Sequence, residues 1–423
     1  MKNGIPKLPT GFGRLWTAQT ISSLGDGITH AALPLIAFTL TRDPLALAVV
    51  TAAGTLPWLL FGVLGGALVD RWDRRRTMWV ADTGRAVLLA IPAVAAGLDM
   101  LSIPLLAAVA FLLGLGGLFF DTAATAYLPD LLSRDPAQLE RANSRLRGAQ
   151  TAMSGFAGPP AGSALLALGR AVPLVADAVS FALSALLVRT LPAMPRPVPE
   201  ARESLLKQAR AGASYVFRNP LLLGLALRPA VGNIAFLAVE TVLVLFAHER
   251  LGIGTYGFGL LLTAEATGGL LGAAIASQLG RRLGTGTALT CTAAIEGLAI
   301  LGLASASNPY VAGLALAVCG GAMGATMVLG PSLRQAIVPG HLMGRVASTS
   351  RMLAMCAAPL GAFAGGWLAT AYDIRTPLYT AAALLLTMTA VTASMTNNRR
   401  VEAALRAAAP AEETTQGGAL DPA

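Results

Sequence analysis

Long apolar stretches follow one another along almost the whole chain, and each could cross a lipid bilayer. A membrane-spanning helix needs roughly 20 consecutive apolar residues. Hydrophobic residues make up 55% of the chain and charged residues 13%, whereas a soluble domain carries about 25% charged residues. The 423 residues therefore predict an all-α polytopic membrane protein with about twelve transmembrane helices.

Short connections join most of the predicted spans, so consecutive helices must run antiparallel. We place the spans at 14–40, 45–69, 77–98, 101–127, 146–169, 171–191, 221–247, 257–279, 286–306, 309–333, 347–371 and 376–396. The segment from Met1 to Gly13 contains no long apolar stretch, so we expect no cleavable signal peptide.

The 31 lysines and arginines are distributed unevenly over the connections. With the N-terminus in the cytoplasm, the opposite face receives Arg42, Arg170, Arg250 and Arg375, and nearly all the others lie on the cytoplasmic face. Cytoplasmic loops of membrane proteins carry an excess of lysine and arginine. The distribution therefore predicts that both termini are cytoplasmic, and it explains the net charge of +9 without a nucleic-acid partner.

The longest connection divides the chain into an N-terminal half, residues 1–191, and a C-terminal half, residues 221–396. The linker between them, 192–220, begins with a proline-rich stretch. Within it, residues 200–217 have the apolar face of an amphipathic helix, which either lies on the inner leaflet or simply connects the halves. The tail, 397–423, is polar and predicted to be cytoplasmic.

A weak internal repeat suggests that the two six-helix halves share one orientation. An offset of 207 residues, the distance from Gly25 to Gly232, aligns several features. The aligned residues are Gly25 and Asp26 with Gly232 and Asn233, Gly66 with Ala273, and Asp73, Arg74 and Arg75 with Gly280, Arg281 and Arg282. Parallel repeats place a substrate site between the halves near the midplane. We therefore predict two pseudo-symmetric halves around a central site.

The connection after the second span combines glycine, aspartate and arginine at fixed spacing. Gly62 and Gly66 form a small-xxx-small pair, and Asp70 follows at the helix end before a run of arginines. A carboxylate there can pair with an arginine in one conformation and release it in another. An ordinary cluster of cytoplasmic arginines would explain the arginines but not the spacing of Gly66 and Asp70.

This segment resembles motif A of the major facilitator superfamily, although Asp73 stands where the family usually has glycine. The resemblance covers the whole chain and implies a transporter of the major facilitator fold with a cytoplasmic gate. We assign the gate to Gly66, Asp70, Arg71, Arg74, Arg75, Asp82, Arg85 and Asp121. The segments from Arg14 to Asp26 and from Arg334 to Val346 resemble drug:proton antiporters, a branch that includes macrolide efflux pumps and the enterobactin exporter.

Span five contains a cluster of glycine and proline. Its members are Gly155, Gly158, Pro159, Pro160 and Gly162. Proline removes a helix hydrogen bond and glycine permits close packing, so we predict a hinge. The cluster resembles the antiporter motif C, with Ser163 in place of the final glycine, and in that family the motif marks exporters. Glycine and proline are also common in membrane helices generally, which is the alternative explanation.

Ionisable residues inside the spans are costly, at about 2.5–3.5 kcal/mol each on insertion scales. Our candidates for proton or substrate coupling are Asp26, Glu265, Glu240 and Arg228. A carboxylate that is shielded from water binds protons more readily, as a proton-coupled carrier requires. The alternative is an intramembrane ion pair without a transport role. We interpret His30 as a packed polar residue rather than a proton relay.

Missing motifs exclude several classes of function. The chain has no Walker-A loop, no HExxH zinc motif and no nucleophile elbow. We predict a proton-coupled secondary transporter of the bacterial cytoplasmic membrane that exports a small amphiphilic drug, antibiotic or siderophore by alternating access. We expect substrate, protons and lipid as partners, and no cofactor, metal, nucleic acid or second subunit. The alternatives are an importer or symporter of a small organic solute, and outside transport a membrane enzyme or receptor.

Overall fold

The structure, a computed structural model, describes residues 8–69, 71–133, 135–194 and 213–408. Within these ranges every regular element is a helix. The helices are α1 (Thr10–Leu40), α2 (Pro44–Val69), α3 (Arg74–Gly97), α4 (Ile103–Leu131), α5 (Pro136–Gln150), α6 (Gly158–Leu168), α7 (Ala171–Arg189), α8 (Pro220–Glu249), α9 (Thr255–Leu283), α10 (Thr285–Ser305), α11 (Pro309–Ile337), α12 (Gly340–Ala371), α13 (Thr376–Ala393) and α14 (Asn398–Ala408).

Eleven of the described helices are long and apolar enough to cross a membrane. They are α1 to α4 and α7 to α13, and most predicted spans match them to within a few residues. The prediction of an all-α polytopic membrane protein is thus confirmed. The predicted span 146–169 differs, because the chain crosses here as α5, a π-helical turn over Thr151–Ala157, and α6.

Proline explains why the fifth crossing is irregular. Pro159 and Pro160 have no N–H group to donate to the carbonyls one turn earlier. The N–H of Gly158 instead donates to the Met153 carbonyl, five residues back, which is the hydrogen bond of a π-helix. The wider turn thus ends α5 immediately before the glycine and proline cluster.

The helices of each half of the chain pack in the same pairs. In the first half these pairs are α2 with α4, α3 with α4, α3 with α7, α1 with α7, and α1 with the fifth crossing. The second half repeats them as α9 with α11, α10 with α11, α10 with α13, α8 with α13, and α8 with α12. The two halves meet mainly where α2 packs on α12 and where the fifth crossing packs on α9.

The two faces of the bundle are packed differently. We call the face where α1 begins and α13 ends the terminal face, and the opposite one the distal face. Near the distal face one continuous apolar cluster joins the halves, with Leu35 and Ile36 of α1 in the same core as Val242 and Leu243 of α8. There Gly366 of α12 also lies directly against the first turn of α2.

Near the terminal face the apolar core is split between the two halves. Leu15, Met78 and Tyr127 belong to a first-half cluster. Leu222 and Leu333 belong to a separate second-half cluster. The halves are therefore joined by side-chain packing at the distal face and separated at the terminal face.

Parts of the predicted linker and tail fall outside the described residues. The amphipathic helix predicted over 200–217 is described only from residue 213 onward, where the chain is helical up to residue 218. The tail forms α14, whose Asn398 side chain donates to the Leu283 carbonyl and accepts from the Thr287 N–H. These bonds fix α14 to the connection between α9 and α10.

Candidate functional site

A cavity of about 390 Å³ lies beside α1, between the two halves of the chain. Its walls come from α1, α2, α4 and α8, with contributions from α3 and α7. Its ionisable lining residues are Asp26, His30, Arg85, Asp121, Asp177 and Glu240. Much of the remaining lining is apolar and includes Leu33, Leu47, Leu113, Trp58 and Leu237. The cavity therefore has a largely apolar wall and several carboxylate side chains.

Arg85 of α3 is the centre of a polar cluster next to this cavity. Its Nη2 donates to Asp26 Oδ1 of α1 at 2.7 Å, and its Nη1 donates to Asp82 Oδ1 at 3.3 Å. The ring of Phe181 in α7 lies 3.7 Å from the guanidinium carbon, which is a cation–π contact. Gly116 of α4 makes room for the arginine stem, since a Cβ there would lie 2.7 Å from Arg85 Cγ.

Two carboxylates of this cluster are fully buried and hydrogen-bonded to hydroxyls. Asp82 Oδ2 accepts from Ser184 of α7 at 2.6 Å. Asp177 of α7 accepts from Thr29 of α1 at 2.5 Å and from Ser180 at 3.0 Å. These bonds tie α3 to α7 and α7 to α1, so the cluster also holds three helices together.

The balance of charge in the cluster determines its chemistry. Asp26, Asp82, Asp121 and Asp177 all act electrostatically on Arg85. We call these five residues the acidic cluster. If all four carboxylates were ionised, one guanidinium would leave three negative charges in a low-dielectric site, which is costly. The acidic cluster is therefore suited to hold protons, and Asp26 and Asp121 face the cavity from which protons can reach it.

A second polar contact crosses from one half of the chain to the other. His30 Nε2 of α1 lies 2.7 Å from Glu240 Oε1 of α8. His30 is half-exposed to the cavity, while Glu240 is mostly covered. Glu265 of α9 also acts electrostatically on both residues. Of the two carboxylates predicted from the sequence, Glu240 lines the cavity, whereas Glu265 is not part of the lining and interacts electrostatically with His30 and Glu240.

The glycine and proline cluster of the fifth crossing lies between α1 and α9. A Cβ at Gly158 would lie 2.5 Å from the Gly27 Cα, and one at Gly162 would overlap the Ile28 carbonyl. The backbones therefore touch at the residues that directly follow Asp26. On the other side, the Pro159 carbonyl faces Gly259 of α9.

Gly155 completes this contact, since a Cβ on it would lie 3.0 Å from the Ala266 side chain. Ala266 directly follows Glu265. The predicted hinge thus lies between the helix that carries Asp26 and the helix that carries Glu265.

Arg228 differs from the sequence-based expectation. Its guanidinium donates to three hydroxyls, from Thr290 of α10 and from Thr392 and Thr396 in and after α13, at 2.9–3.0 Å. Among the described residues no carboxylate lies within ion-pair distance of it, and its Nη1 is buried without a partner. We call these four residues the hydroxyl cluster. It lies toward the terminal face, away from the cavity walls, so Arg228 neither neutralises a carboxylate nor faces the cavity.

The predicted gate residues separate into two groups. Arg74 pairs with Asp130 and donates to the Ala126 carbonyl of α4, and Arg75 donates to the Leu191 carbonyl after α7. These bonds fix the start of α3 at the terminal face. Asp70 lies outside the described residues, and the environment of Gly66 is not described either. Arg71 lies in an exposed turn.

The second group of predicted gate residues does not lie at the terminal face. Asp82, Arg85 and Asp121 lie deeper in the bundle, around Asp26, and belong to the acidic cluster rather than to the terminal-face contacts. The reason is helix length. Arg85 lies about three turns into α3, so its side chain reaches α1 instead of the loop.

Three residues near the cavity were missed or undervalued by sequence reasoning. His30 is interpreted from the sequence as a packed residue, and Asp177 and Arg351 are not among the predicted site residues. Because α12 begins at Gly340, Arg351 lies well inside this helix, with its guanidinium carbon 5.0 Å from the centre of the Trp58 ring of α2. Its charge also acts on Asp121. A longer helix estimate for α12 would have revealed it.

Metal binding finds no support in the described part of the chain. No three His, Cys, Asp or Glu side chains there are grouped so that they could hold a metal ion. The carboxylates of the acidic cluster instead surround the guanidinium of Arg85.

Comparison with protein families gives a match over nearly the whole chain. Residues 6–419 match the family described as "Transmembrane secretion effector". The multidrug efflux pump Tap of Mycolicibacterium fortuitum is 29% identical over 369 residues, which cover 85% of this chain and 89% of that protein. The uncharacterized MFS-type transporter YfiS of Bacillus subtilis (strain 168) is 27% identical over 374 residues, covering 85% and 87%.

Solved structures share the fold. The nucleoside transporter NupG superposes with a TM-score of 0.73 at 14% identity, over 92% of this chain and 100% of that chain. A bacterial homologue of the iron transporter ferroportin superposes with a TM-score of 0.75 at 17% identity, over 93% and 100%. At such identities the likeness concerns the arrangement of helices alone.

Proposed function

The chain belongs to the transmembrane secretion effector family of major facilitator transporters, and we propose that it exports a small amphiphilic molecule in exchange for protons. Membership of the family makes the protein a multi-pass membrane transporter and not an enzyme. Multidrug efflux pumps are among its relatives, which favours export over the other directions of transport.

The acidic cluster is the observation that carries the proposal of proton coupling. Asp26, Asp121 and Asp177 line the cavity, while Asp82 is buried beside the same arginine. The cluster can accept and return protons without a change in its neighbours' packing, because Arg85 remains as a partner for the ionised groups. Glu240 and Glu265 extend the acidic surface to the second half of the chain.

The cavity lining supports an amphiphilic cargo such as a drug, an antibiotic or a siderophore. Aromatic and aliphatic side chains, among them Trp58, Leu33 and Leu113, can bury an apolar body. Carboxylates at the same cavity can bind a polar or cationic group of that cargo. Protons and cargo would then compete for the same negative charge, which is the simplest way to link their movements in opposite directions.

The division into two pseudo-symmetric halves supports the proposal of alternating access. The halves are packed together at the distal face and separate at the terminal face. We propose that the terminal face, with both termini, is cytoplasmic in a bacterial inner membrane, as the arginine distribution predicts. The arrangement then corresponds to a carrier that is open to the cytoplasm and closed on the outside.

The hinge and the gate have separate roles in this proposal. Gly158, Pro159 and Gly162 let α6 lie tightly between α1 and α9, which limits leakage of protons along that boundary. Asp70 and the arginines after it are proposed to close the cytoplasmic side when the outer side opens. Arg74 and Arg75 anchor the start of α3 for this purpose.

Inside-out vesicles provide the test of proton-driven export. An acid-inside gradient should drive accumulation of a fluorescent amphiphile, and ethidium is the first probe of a panel. Asp26→Asn should reduce gradient-driven accumulation to the level of empty vesicles, because Arg85 would lose its cavity-facing carboxylate partner. Asp99→Asn is the matched control, since Asp99 lies in an exposed connection on the distal face.

Two outcomes would contradict the proposal. Full gradient-driven accumulation by the Asp26→Asn variant would remove Asp26 from the coupling. A gradient that drives the panel out of the vesicles instead would indicate an importer or symporter.

A further inference from the structure

Among the described residues, one contact at ion-pair distance crosses the seam, the boundary between α1 and α8. His30 Nε2 and Glu240 Oε1 are 2.7 Å apart and come from different halves of the chain. Further toward the distal face, the rings of Phe38 and His248 lie 4.6 Å apart across the same two helices. We call the contact between His30 and Glu240 the α1–α8 link.

The position of the link ties it to the opening of the distal face. Both residues line the cavity, and His30 lies one helical turn beyond Asp26 toward the distal face. Immediately beyond the link, the continuous apolar cluster joins the two halves. When the distal face opens, α1 and α8 must separate along this seam. The link must therefore break in each transport cycle.

Three carboxylates act electrostatically on His30: Asp26 on its own helix, Glu240 on α8 and Glu265 on α9. Two further charged groups line the same cavity, Asp177 of α7, which accepts from the adjacent Thr29, and Arg85 of α3, which is bonded to Asp26. The π-helical turn and α6 pack on α1 at this level through Ser154, Gly158 and Gly162, none of which titrates. A proton on His30 thus produces a cation surrounded by three carboxylates, and its loss removes that cation from the seam.

We propose that the α1–α8 link is a one-proton lock, in which protonated His30 holds the distal face closed and neutral His30 allows it to open. The inference rests on the proposed proton-coupled export, because it specifies how one proton changes the conformation. His30 acts here as a positioning residue, because its charge controls the distance between two helices. This role differs from the packed histidine predicted from the sequence.

The proton balance of the lock follows the proposed cycle. With the distal face open, His30 takes one proton from the water outside and becomes an imidazolium. The imidazolium pairs with ionised Glu240, and the charge-assisted bond closes the seam. With the terminal face open, the proton leaves to the cytoplasm, and a hydrogen bond from the neutral imidazole to the Glu240 carboxylate remains. That weaker bond lets the loaded carrier open outward, so proton entry and cargo export run in opposite directions.

Distance measurements between spin labels can test the lock without a known cargo. Leu98 at the end of α3 and Tyr310 at the start of α11 are 65% and 88% exposed on the distal face, one in each half. Both are replaced by labelled cysteine in the full chain after Cys291, Cys319 and Cys356 are changed to alanine. Double electron–electron resonance in lipid nanodiscs then gives the populations of short and long distances at pH 8.0 and 5.5.

The wild-type sequence should gain short distances at low pH, with the ratio of closed to open rising about tenfold, as expected when an ion pair replaces a hydrogen bond from a neutral donor. His30→Gln and Glu240→Gln should each abolish the shift, and combining them should add nothing. His30→Lys should keep the distal face closed at both pH values. Glu249→Gln, the same change at the exposed end of α8, should behave as the wild type does.

The results separate failure of the lock from failure of the proposed function. A His30→Gln variant that retains the wild-type pH shift overturns the lock, even if the vesicles show proton-driven export. Wild-type protein whose distances do not change with pH overturns it as well. Conversely, a shift that is lost in His30→Gln supports the lock, even if no gradient-driven export is found. Glu240→Gln provides the same test from the other side if His30→Gln fails to fold.

Discussion

Corresponding helices of the two halves carry different kinds of polar cluster. In the first half, α1, α3, α4 and α7 hold the acidic cluster, with one arginine among four carboxylates. In the second half, the corresponding α8, α10 and the end of α13 hold the hydroxyl cluster, with one arginine among three threonines. A shared packing arrangement therefore does not imply shared chemistry.

The difference lies in which groups can change their charge. The carboxylates of the acidic cluster can gain and lose protons, and three of them line the cavity. The threonines of the hydroxyl cluster cannot, and each one already donates to a carbonyl of the preceding turn. We therefore expect the acidic cluster to change its protonation during transport and the hydroxyl cluster to hold its helices together without changing its charge.

Replacing each arginine by methionine should separate the two clusters most strongly. Arg85→Met leaves the buried Asp82 without its cation, and breaking a buried pair in this way costs about 3–5 kcal/mol. Arg228→Met removes a buried charge that has no carboxylate partner, and the threonines keep their own bonds. We expect its free energy of unfolding to stay within about 1 kcal/mol of the wild type. Reversible unfolding in mixed micelles measures both.

Transport by the same two variants sharpens the comparison. Arg85→Met should lose gradient-driven accumulation in vesicles, and Arg228→Met should retain it. If the two variants lost stability and transport equally, the two clusters would be equivalent and the contrast drawn from their partners would be wrong.

Removing one hydroxyl from each cluster should give a smaller difference in the same direction. Ser184→Ala takes a donor from the buried Asp82, and a hydrogen bond to a charged group contributes about 1.5–3 kcal/mol. Thr290→Val leaves Arg228 bonded to Thr392 and Thr396, so we expect a loss of less than about 1 kcal/mol. The same unfolding experiment compares them. A larger loss for Thr290→Val would contradict the comparison.

An exposed ion pair outside both clusters provides the baseline and the smallest effect. In the connection after α12, the Arg375 N–H donates to Asp373 at 2.9 Å and Arg250 pairs with the same carboxylate. These contacts, the backbone N–H first, hold the pKa of Asp373 below its usual value. The pKa of Asp373 is therefore lower in the folded protein than in the unfolded chain. The stabilisation is present above about pH 4, the ordinary pKa of aspartate, and it is lost as the pH falls through the pKa of the folded protein.

Asp373→Asn should therefore cost less than about 1 kcal/mol at neutral pH, because solvent screens a half-exposed pair. The cost should shrink further in high salt and as the pH falls toward the folded pKa. Unfolding of wild type and variant at pH 7 and pH 3 measures this directly. A cost that is as large at pH 3 as at pH 7 would show that the effect does not come from the charge of Asp373.

Features that depend on local sequence could be predicted. The long apolar runs gave the number and approximate ends of the spans, because lipid requires helices of a fixed minimum length. Gly158, Pro159 and Gly162 indicated an irregular helix, since their backbone effects are local. Asp26, Glu240 and Glu265 stood out because carboxylates are rare in apolar runs, and all three lie at or near the cavity.

Features that depend on how helices are rotated against each other could not be predicted. Arg85 lies 59 positions from Asp26, and hydropathy does not show which face of α3 meets α1. The hydroxyl partners of Arg228 come from positions more than 60 residues away, and threonine is common in apolar helices. Arg351 was not recognised because the predicted span begins at residue 347, whereas α12 begins at Gly340.

The π-helical turn over Thr151–Ala157 has a consequence for scanning experiments. One additional residue in a turn shifts the angular phase of a helix by about 100°. Positions of α5 and α6 that face the same direction are therefore not spaced as in one continuous helix. Cysteine scanning along residues 136–168 should show a reactivity period that is interrupted once, before Gly158. A helical wheel drawn through the whole crossing would assign the faces of α6 incorrectly.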